Sequence, residues 1–139
     1  MCKAMFRDSE QGKNFGLLVL RVGIGLIFMR HGIPKMLAGS EAWNWLGSNM
    51  AHFGITFAYT FWGFAAACAE GLGGLCLVLG FATRIAASFM SFVMLVACVM
   101  HYTQGDAWGT VSHPLSLLVV FVALIFMGSG KYSLDAYCV

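Results

Sequence analysis

Residues 57–79 read FAYTFWGFAAACAEGLGGLCLVL and contain a single charged residue, Glu70. An apolar run of about 20 residues is long enough to cross the hydrocarbon core of a bilayer as a helix. In lipid such a run must be helical, because only a helix satisfies its own backbone hydrogen bonds without water. Three further apolar runs lie at residues 15–36, 85–101 and 115–127. The pattern predicts an all-α integral membrane bundle of four helices joined by short loops.

The composition supports the same class. The chain has 139 residues, of which 60% are hydrophobic and 10% charged, and its mean hydropathy is +0.80. Soluble domains carry about 25% charged residues, so this chain has too few charges to coat a water-soluble surface. Its net charge of +2 is small and scattered, which argues against a nucleic-acid partner. We expect one transmembrane domain over residues 1–139, in contact with membrane lipid.

The basic residues outside the apolar runs predict the orientation, because lysine and arginine concentrate in cytoplasmic segments. The loops at 38–56 and 102–114 contain no lysine or arginine. The basic residues that fall on the opposite side are Lys3, Arg7, Lys13, Arg84 and Lys131. We therefore expect both tails, 1–14 and 128–139, in the cytoplasm, and the chain as a multi-pass protein of the inner (cytoplasmic) membrane.

The sequence predicts two further local features. Small residues allow membrane helices to approach closely, and the candidates for such a contact are Gly23, Gly25, Gly71, Gly73 and Gly74. In the first outer loop, aromatic and apolar residues recur at helical spacing, which favours a short helix lying in the interface. These residues are Trp43, Leu46 and Met50.

Ionisable residues inside apolar runs need a partner or a purpose, because a charge at the bilayer centre costs at least about 2.5 kcal/mol. Arg21 and Glu70 lie about 7 Å apart along the bundle axis, at 1.5 Å per residue. The spacing predicts an Arg21–Glu70 pair between the first two membrane helices. Such a pair can relay protons, or it can simply lock the two helices together. Arg30 lies on almost the opposite face of the first helix from Arg21.

A polar pocket is predicted at the outer end of the bundle, where His31, Lys35 and His101 should lie at similar depth, with Glu70 below them. Such a site suits the head group of a quinone, since histidine can donate hydrogen bonds and exchange protons near neutral pH. Two alternatives compete with a quinone: the histidines are ordinary interfacial residues, or the pair ligates a haem b. No haem motif and no metal-ligand pattern accompanies the histidines.

Six motifs in this order make the chain resemble the DoxX family of small four-helix membrane proteins, from about Leu18 to Asp135. They are Arg21-Val-Gly-Ile-Gly25, His31-Gly-Ile-Pro-Lys35, Glu70-Gly-Leu-Gly-Gly74, Leu79-Gly-Phe-Ala-Thr-Arg84, His101 and Gly128-Ser-Gly-Lys-Tyr-Ser-Leu-Asp135. Arg30 departs from the family, in which that position is usually apolar or aromatic.

The resemblance implies a role in quinone-linked redox chemistry, because the family takes its name from the membrane subunit of an archaeal thiosulfate:quinone oxidoreductase. The residues that match the family's pattern are Arg21, His31, Lys35, Glu70, Arg84 and His101. On this interpretation Glu70 and His31 act in catalysis. His31, Lys35, His101, Arg21 and Arg84 bind the quinone.

Our working hypothesis is a membrane subunit that passes electrons to a quinone from a soluble redox partner or a small sulfur reductant. The chain has no flavin, iron–sulfur or nicotinamide motif, so we expect it to work with a second subunit or a soluble redox protein rather than alone. A homo-oligomer is a further expectation. One rival hypothesis is a non-enzymatic scaffold that anchors soluble redox proteins. Another is a small transporter, although four helices without an inverted repeat make a poor carrier.

Overall fold

The computed structural model describes residues 9–138, and all the regular structure in that range is helical. Four long helices alternate in direction: α1, Glu10–Leu37; α3, Tyr59–Leu79; α4, Thr83–Thr103; and α5, Trp108–Met127. Shorter elements are α2, Ser40–Gly47, a 3₁₀ helix, Ser48–Phe53, and α6, Leu134–Tyr137. The short helix predicted in the first outer loop from its aromatic and apolar spacing is thus present as α2 and the 3₁₀ helix.

The four long helices are each long and apolar enough to cross a membrane, as predicted. Together they make the chain a multi-pass membrane protein. We call the end that carries Ser9 and α6 the terminal end, and the end that carries α2 and the 3₁₀ helix the loop end. Lys3 and Arg7, two of the residues behind the expected orientation, lie outside the described residues.

Two of the helices begin five or more residues earlier than predicted. The first starts at Glu10 instead of residue 15, because the Ser9 side chain caps it by accepting a hydrogen bond from the Gly12 N–H at 3.2 Å. The last begins at Trp108 instead of residue 115, with Pro114 inside it. A proline is tolerated there, because it lies in the second turn, near the loop end, where the carbonyl it leaves unpaired can be hydrated.

Glycines set the contact between α1 and α3. A Cβ at Gly25 would lie 2.6 Å from the Gly74 carbonyl oxygen, and one at Gly32 would collide with the Gly71 backbone. The predicted glycine contact therefore forms, but its α1 members are Gly25 and Gly32. A Cβ at Gly23 would meet nothing within 4 Å, so the prediction for Gly23 was wrong. Gly25 and Gly32 lie on the buried face of α1 together with Arg21 and Phe28. Gly23 lies off that face.

The apolar core lies between the long helices. The aromatic rings of Phe28 and Phe121 meet edge to face with centroids 5.0 Å apart, which joins α1 to α5. Leu77, Met90 and Leu124 are fully buried around them. Large apolar side chains also cover the outside of the bundle, as in a protein whose solvent is lipid.

The α2 helix and the 3₁₀ helix lie against the loop end of α3. Gly47 and Gly63 make this possible, since a Cβ on either would collide with backbone across the contact. The Trp43 ring packs against Phe64 with centroids 4.7 Å apart. Its indole N–H also donates to the Lys35 carbonyl oxygen at 2.8 Å, next to the end of α1. This segment thus forms a fixed cover over one side of the loop end.

Candidate functional site

An ion pair joins α1 to α3 inside the bundle. The Lys35 Nζ donates to both carboxylate oxygens of Glu70, at 2.9 and 2.7 Å. The Glu70 side chain is only 5% exposed, whereas that of Lys35 is 42% exposed. Glu70 lies one residue past the centre of α3, so the carboxylate lies far from either end of the helix. A carboxylate this deeply buried is stable only with a cation and hydrogen bonds to compensate for its lost hydration.

The helix contact explains why Lys35 is the partner. The close approach of Gly32 to Gly71 places these two residues at the same depth. Lys35 lies three residues after Gly32, on the same side of α1. From there its long side chain reaches back by two residues of helix, about 3 Å, to the depth of Glu70.

Arg21 does not pair with Glu70, contrary to the prediction from depth. Its side chain is fully buried at the terminal end and donates to the Leu77 carbonyl oxygen at 3.1 Å and to the Tyr132 carbonyl oxygen at 2.6 Å. A Cβ at Gly80 would occupy the same space as the guanidinium. Arg21 therefore joins α1 to the end of α3 and to the C-terminal segment.

Asp135 holds the C-terminal segment to the start of α4. Its carboxylate accepts hydrogen bonds from the N–H groups of Ala82 and Thr83, at 2.7 and 3.0 Å. Burial opposes its ionisation, but these hydrogen bonds outweigh burial and lower the pKa of Asp135 below its ordinary value of 3.8. They also stabilise Ala82, whose φ of +47° is costly for a residue with a side chain. Arg84 lies beside this segment, exposed, with a long 3.5 Å contact to the Phe126 carbonyl oxygen.

The predicted histidines lie in different surroundings. His101, near the end of α4, contacts Asp106 through Nδ1 at 2.6 Å. The Asp106 carboxylate accepts a hydrogen bond from Nδ1–H. Nε2 is therefore left to accept a hydrogen bond from a ligand or, once the ring is charged, to donate one. His31 is exposed on α1. Haem ligation by both rings would need them at one cavity, and only His101 lines the cavity described next.

A cavity of about 830 Å³ lies between α3, α4 and the loop-end cover. Lys35, Glu70 and His101 are in its wall, so the structure brings these three predicted residues together. The rest of the lining is mainly apolar. It includes Trp45, Met50, Trp62, Phe89, Phe92 and Met100. Ligand sites in proteins are of this kind: a concave apolar space of about 300–1,000 Å³ with a few polar groups.

Arg21 and Arg84, by contrast, lie at the terminal end, and neither they nor His31 line this cavity. Two residues that sequence analysis did not single out belong to the site. Asp106 orients His101, and the only sequence signal for it is an acid five residues after the histidine. The indole N–H of Trp62 lies buried in the cavity region without a hydrogen-bond partner among the described residues.

The donor groups at this cavity suit a neutral ligand with carbonyl oxygens. Lys35 uses two of its three N–H groups on Glu70 and has one left to donate. Trp62 has an unpaired donor, and charged His101 supplies another. Within residues 9–138 no group of three or more His, Cys, Asp or Glu residues lies close enough to hold a metal ion. The site therefore offers hydrogen bonds and proton exchange.

Comparison with known proteins agrees with this architecture. Over 122 residues, covering 88% of this chain and 86% of the relative, the sequence is 28% identical to a Bacillus subtilis (strain 168) protein named "Putative oxidoreductase CatD". No solved structure matches the chain. The profile of the DoxX family matches residues 16–103, which include α1, α3 and α4 almost entirely. This match covers more than half of the sequence, and the chain belongs to the DoxX family.

Proposed function

We propose that the protein is the membrane subunit of a quinone-linked oxidoreductase, located in the inner membrane, and that a quinone head group binds in the 830 Å³ cavity. One observation carries the proposal. An apolar cavity among membrane-spanning helices has the part-buried Lys35–Glu70 pair in its wall and the His101–Asp106 pair at its loop end. The name of the Bacillus subtilis relative supports oxidoreductase chemistry.

In this proposal Lys35 and His101 hold the two carbonyl oxygens of the quinone ring from opposite sides. His101 lies about 12 Å further toward the loop end than Glu70, when both depths are counted along their helices at 1.5 Å per residue. Side chains lean toward the N-terminus of their helix. Because α3 and α4 run in opposite directions, the side chains of Glu70 and His101 lean toward each other, and a flat ring can lie between them.

Reduction of a bound quinone to the hydroquinone takes up two electrons and two protons. His101 can deliver a proton from Nε2 when its ring is charged, and Asp106 stabilises that charge through Nδ1. Protonated Lys35 donates a hydrogen bond to the other oxygen, stabilises the negative charge that develops there and delivers the second proton to it. Glu70 keeps Lys35 in place and compensates its charge. The electrons come from a soluble redox partner or a small sulfur reductant.

The proposal is tested by quantifying quinone in the purified protein. The chain is purified in mild detergent beside an unrelated membrane protein from the same cells, and quinone per chain is measured after extraction. We expect enrichment in the wild type and its loss in His101→Ala. His31→Ala is the matched control, because this histidine lies outside the cavity, and it should retain the quinone. Background quinone in all samples would overturn the proposal.

A further inference from the structure

The cavity continues as a groove along α4. Eight of its nine lining residues on that helix form two rows, each with a spacing of four residues: 88, 92, 96 and 100, and 89, 93, 97 and 101. From Ser88 to His101 this stripe is about 20 Å long, at 1.5 Å per residue. The groove is thus much longer than a single aromatic ring, and it reaches past the depth of Glu70 toward the terminal end.

Small side chains on α3 leave the space open. Between Trp62 and Glu70 the groove is lined on this helix by Ala65, Ala66 and Ala69. Polar groups able to bind a ligand lie in the part from Glu70 to the loop end. The part beyond Glu70 is lined by Phe89, Phe92 and other apolar side chains, and by Ser88, whose hydroxyl already donates to the Arg84 carbonyl oxygen at 2.8 Å.

The groove opens sideways from the bundle. Phe89 is 61% exposed and Phe92 is 45% exposed, and Ala65 and Ser88 beside them are also exposed. These four residues belong to α3 and α4, within the stretches that span the membrane. The mouth of the groove therefore faces lipid, and a ligand resident in the bilayer can enter there without crossing water.

The charges in the groove favour a neutral head group. The Lys35 ammonium is balanced by the Glu70 carboxylate, and His101 is paired with Asp106. No unbalanced cation among the lining residues is left to attract a lipid phosphate. Carbonyl oxygens need only hydrogen-bond donors, which these pairs retain.

We infer that the groove between α3 and α4 binds the prenyl tail of the quinone, with the ring at the Lys35–Glu70 end and the tail leaving through the mouth formed by Ala65, Ser88, Phe89 and Phe92. This inference rests on the proposed function and adds the ligand class to it: a long-chain quinone that enters from the membrane. The contact of Gly73 with Met90 puts Glu70 level with about residue 93, so the groove between that depth and Ser88 leaves about 7 Å for the tail, room for one or two isoprene units before the tail enters lipid.

The test uses a quinone with a photoreactive diazirine in its tail, bound to the full chain in liposomes. Crosslinks are mapped by mass spectrometry. We expect labelling on the groove faces of α3 and α4, at residues 65–70 and 88–97, and displacement by an unlabelled long-chain quinone. Ser88→Phe should fill the mouth and lower this labelling by about tenfold, which corresponds to 1.4 kcal/mol.

Ser116→Phe is the matched control, because Ser116 is also exposed and its hydroxyl donates to the carbonyl oxygen four residues back at 2.8 Å, on α5 away from the groove. It should leave the labelling unchanged. Equal labelling of all lipid-facing surfaces, or no effect of Ser88→Phe, would overturn the tail site. So would labelling of the groove by a photoreactive phospholipid that quinone does not displace.

A short-chain quinone, measured for binding in the same liposomes, separates the two proposals. If it binds in a His101-dependent manner while the groove is not labelled, the tail site is wrong and the proposed function stands. If neither the short-chain nor the long-chain quinone binds, both proposals fall.

Discussion

Replacing Lys35 in the Lys35–Glu70 pair should lower the stability of the protein more than replacing Glu70. Lys35→Met leaves the Glu70 carboxylate, only 5% exposed, without its cation and without two hydrogen bonds. Removing one partner of a buried pair lowers the free energy of unfolding by about 3–5 kcal/mol. Because the Glu70 carboxyl can take up a proton once its cation is gone, we expect a loss at the lower end of that range, about 3 kcal/mol. Glu70→Gln keeps one acceptor oxygen and leaves a lysine that is 42% exposed, so we expect about 1 kcal/mol.

The double variant Lys35→Met/Glu70→Gln removes both charges and should be more stable than Lys35→Met alone. The resulting coupling energy should be about 2–3 kcal/mol, well beyond the error of additivity for independent sites. The free energy of unfolding is measured for all four proteins by steric trapping in bicelles. Arg30→Met is a matched control on the same helix, since Arg30 is exposed, and it should change stability by less than about 0.5 kcal/mol.

Two results would refute this reasoning. One is a Lys35→Met variant no less stable than Glu70→Gln, which would mean that Glu70 does not depend on this cation. The other is a double variant whose loss in free energy of unfolding equals the sum of the losses in the two single variants. That result would mean that the two side chains do not interact.

Three further predictions concern the terminal end and the α1–α3 contact. Arg21→Met removes both hydrogen bonds of a buried guanidinium, and a spin label on Cys138 should become more mobile. Because the pKa of Asp135 is lowered in the folded state, its contribution is complete at neutral pH and is lost as the pH falls through that lowered value; the label should stay immobile down to about pH 4 and loosen below 3.8. Gly32→Ala should sharply lower the yield of folded protein, whereas Gly23→Ala, with open space around its Cβ, should not; similar yields would contradict the close helix contact.

The membrane helices could be predicted because each apolar run must satisfy its own backbone in lipid. The buried face of α1 could also be predicted, since Arg21, Gly25, Phe28 and Gly32 follow helical spacing, and all four are buried. The same spacing excludes Gly23, because two residues turn it about 200° away from Arg21 around the helix.

The partners of the ionisable residues could not be predicted from depth. The contact of Gly32 with Gly71 places Arg21 about 18 Å from Glu70 along the bundle axis, at 1.5 Å per residue, so the predicted separation of about 7 Å was wrong. Arg21 instead donates to backbone carbonyls, one of them at Tyr132, 111 residues away in the sequence. That contact exists only because the C-terminal segment folds back under the bundle and Asp135 fixes it to α4. Lys35 is then the cation within reach of Glu70. Relative depth depends on the register between two helices, which is set here by the close contact of Gly32 with Gly71.

The central claim, that a quinone ring lies between Lys35 and His101, is tested most directly by infrared difference spectroscopy of bound quinone with isotope-labelled carbonyl groups. A hydrogen bond moves a carbonyl band to lower frequency than in lipid. We predict two shifted bands. One should return to the lipid position in His101→Ala and the other in the double variant Lys35→Met/Glu70→Gln. His31→Ala should move neither band. Bands that match free quinone in lipid, or that neither cavity variant changes, would contradict it.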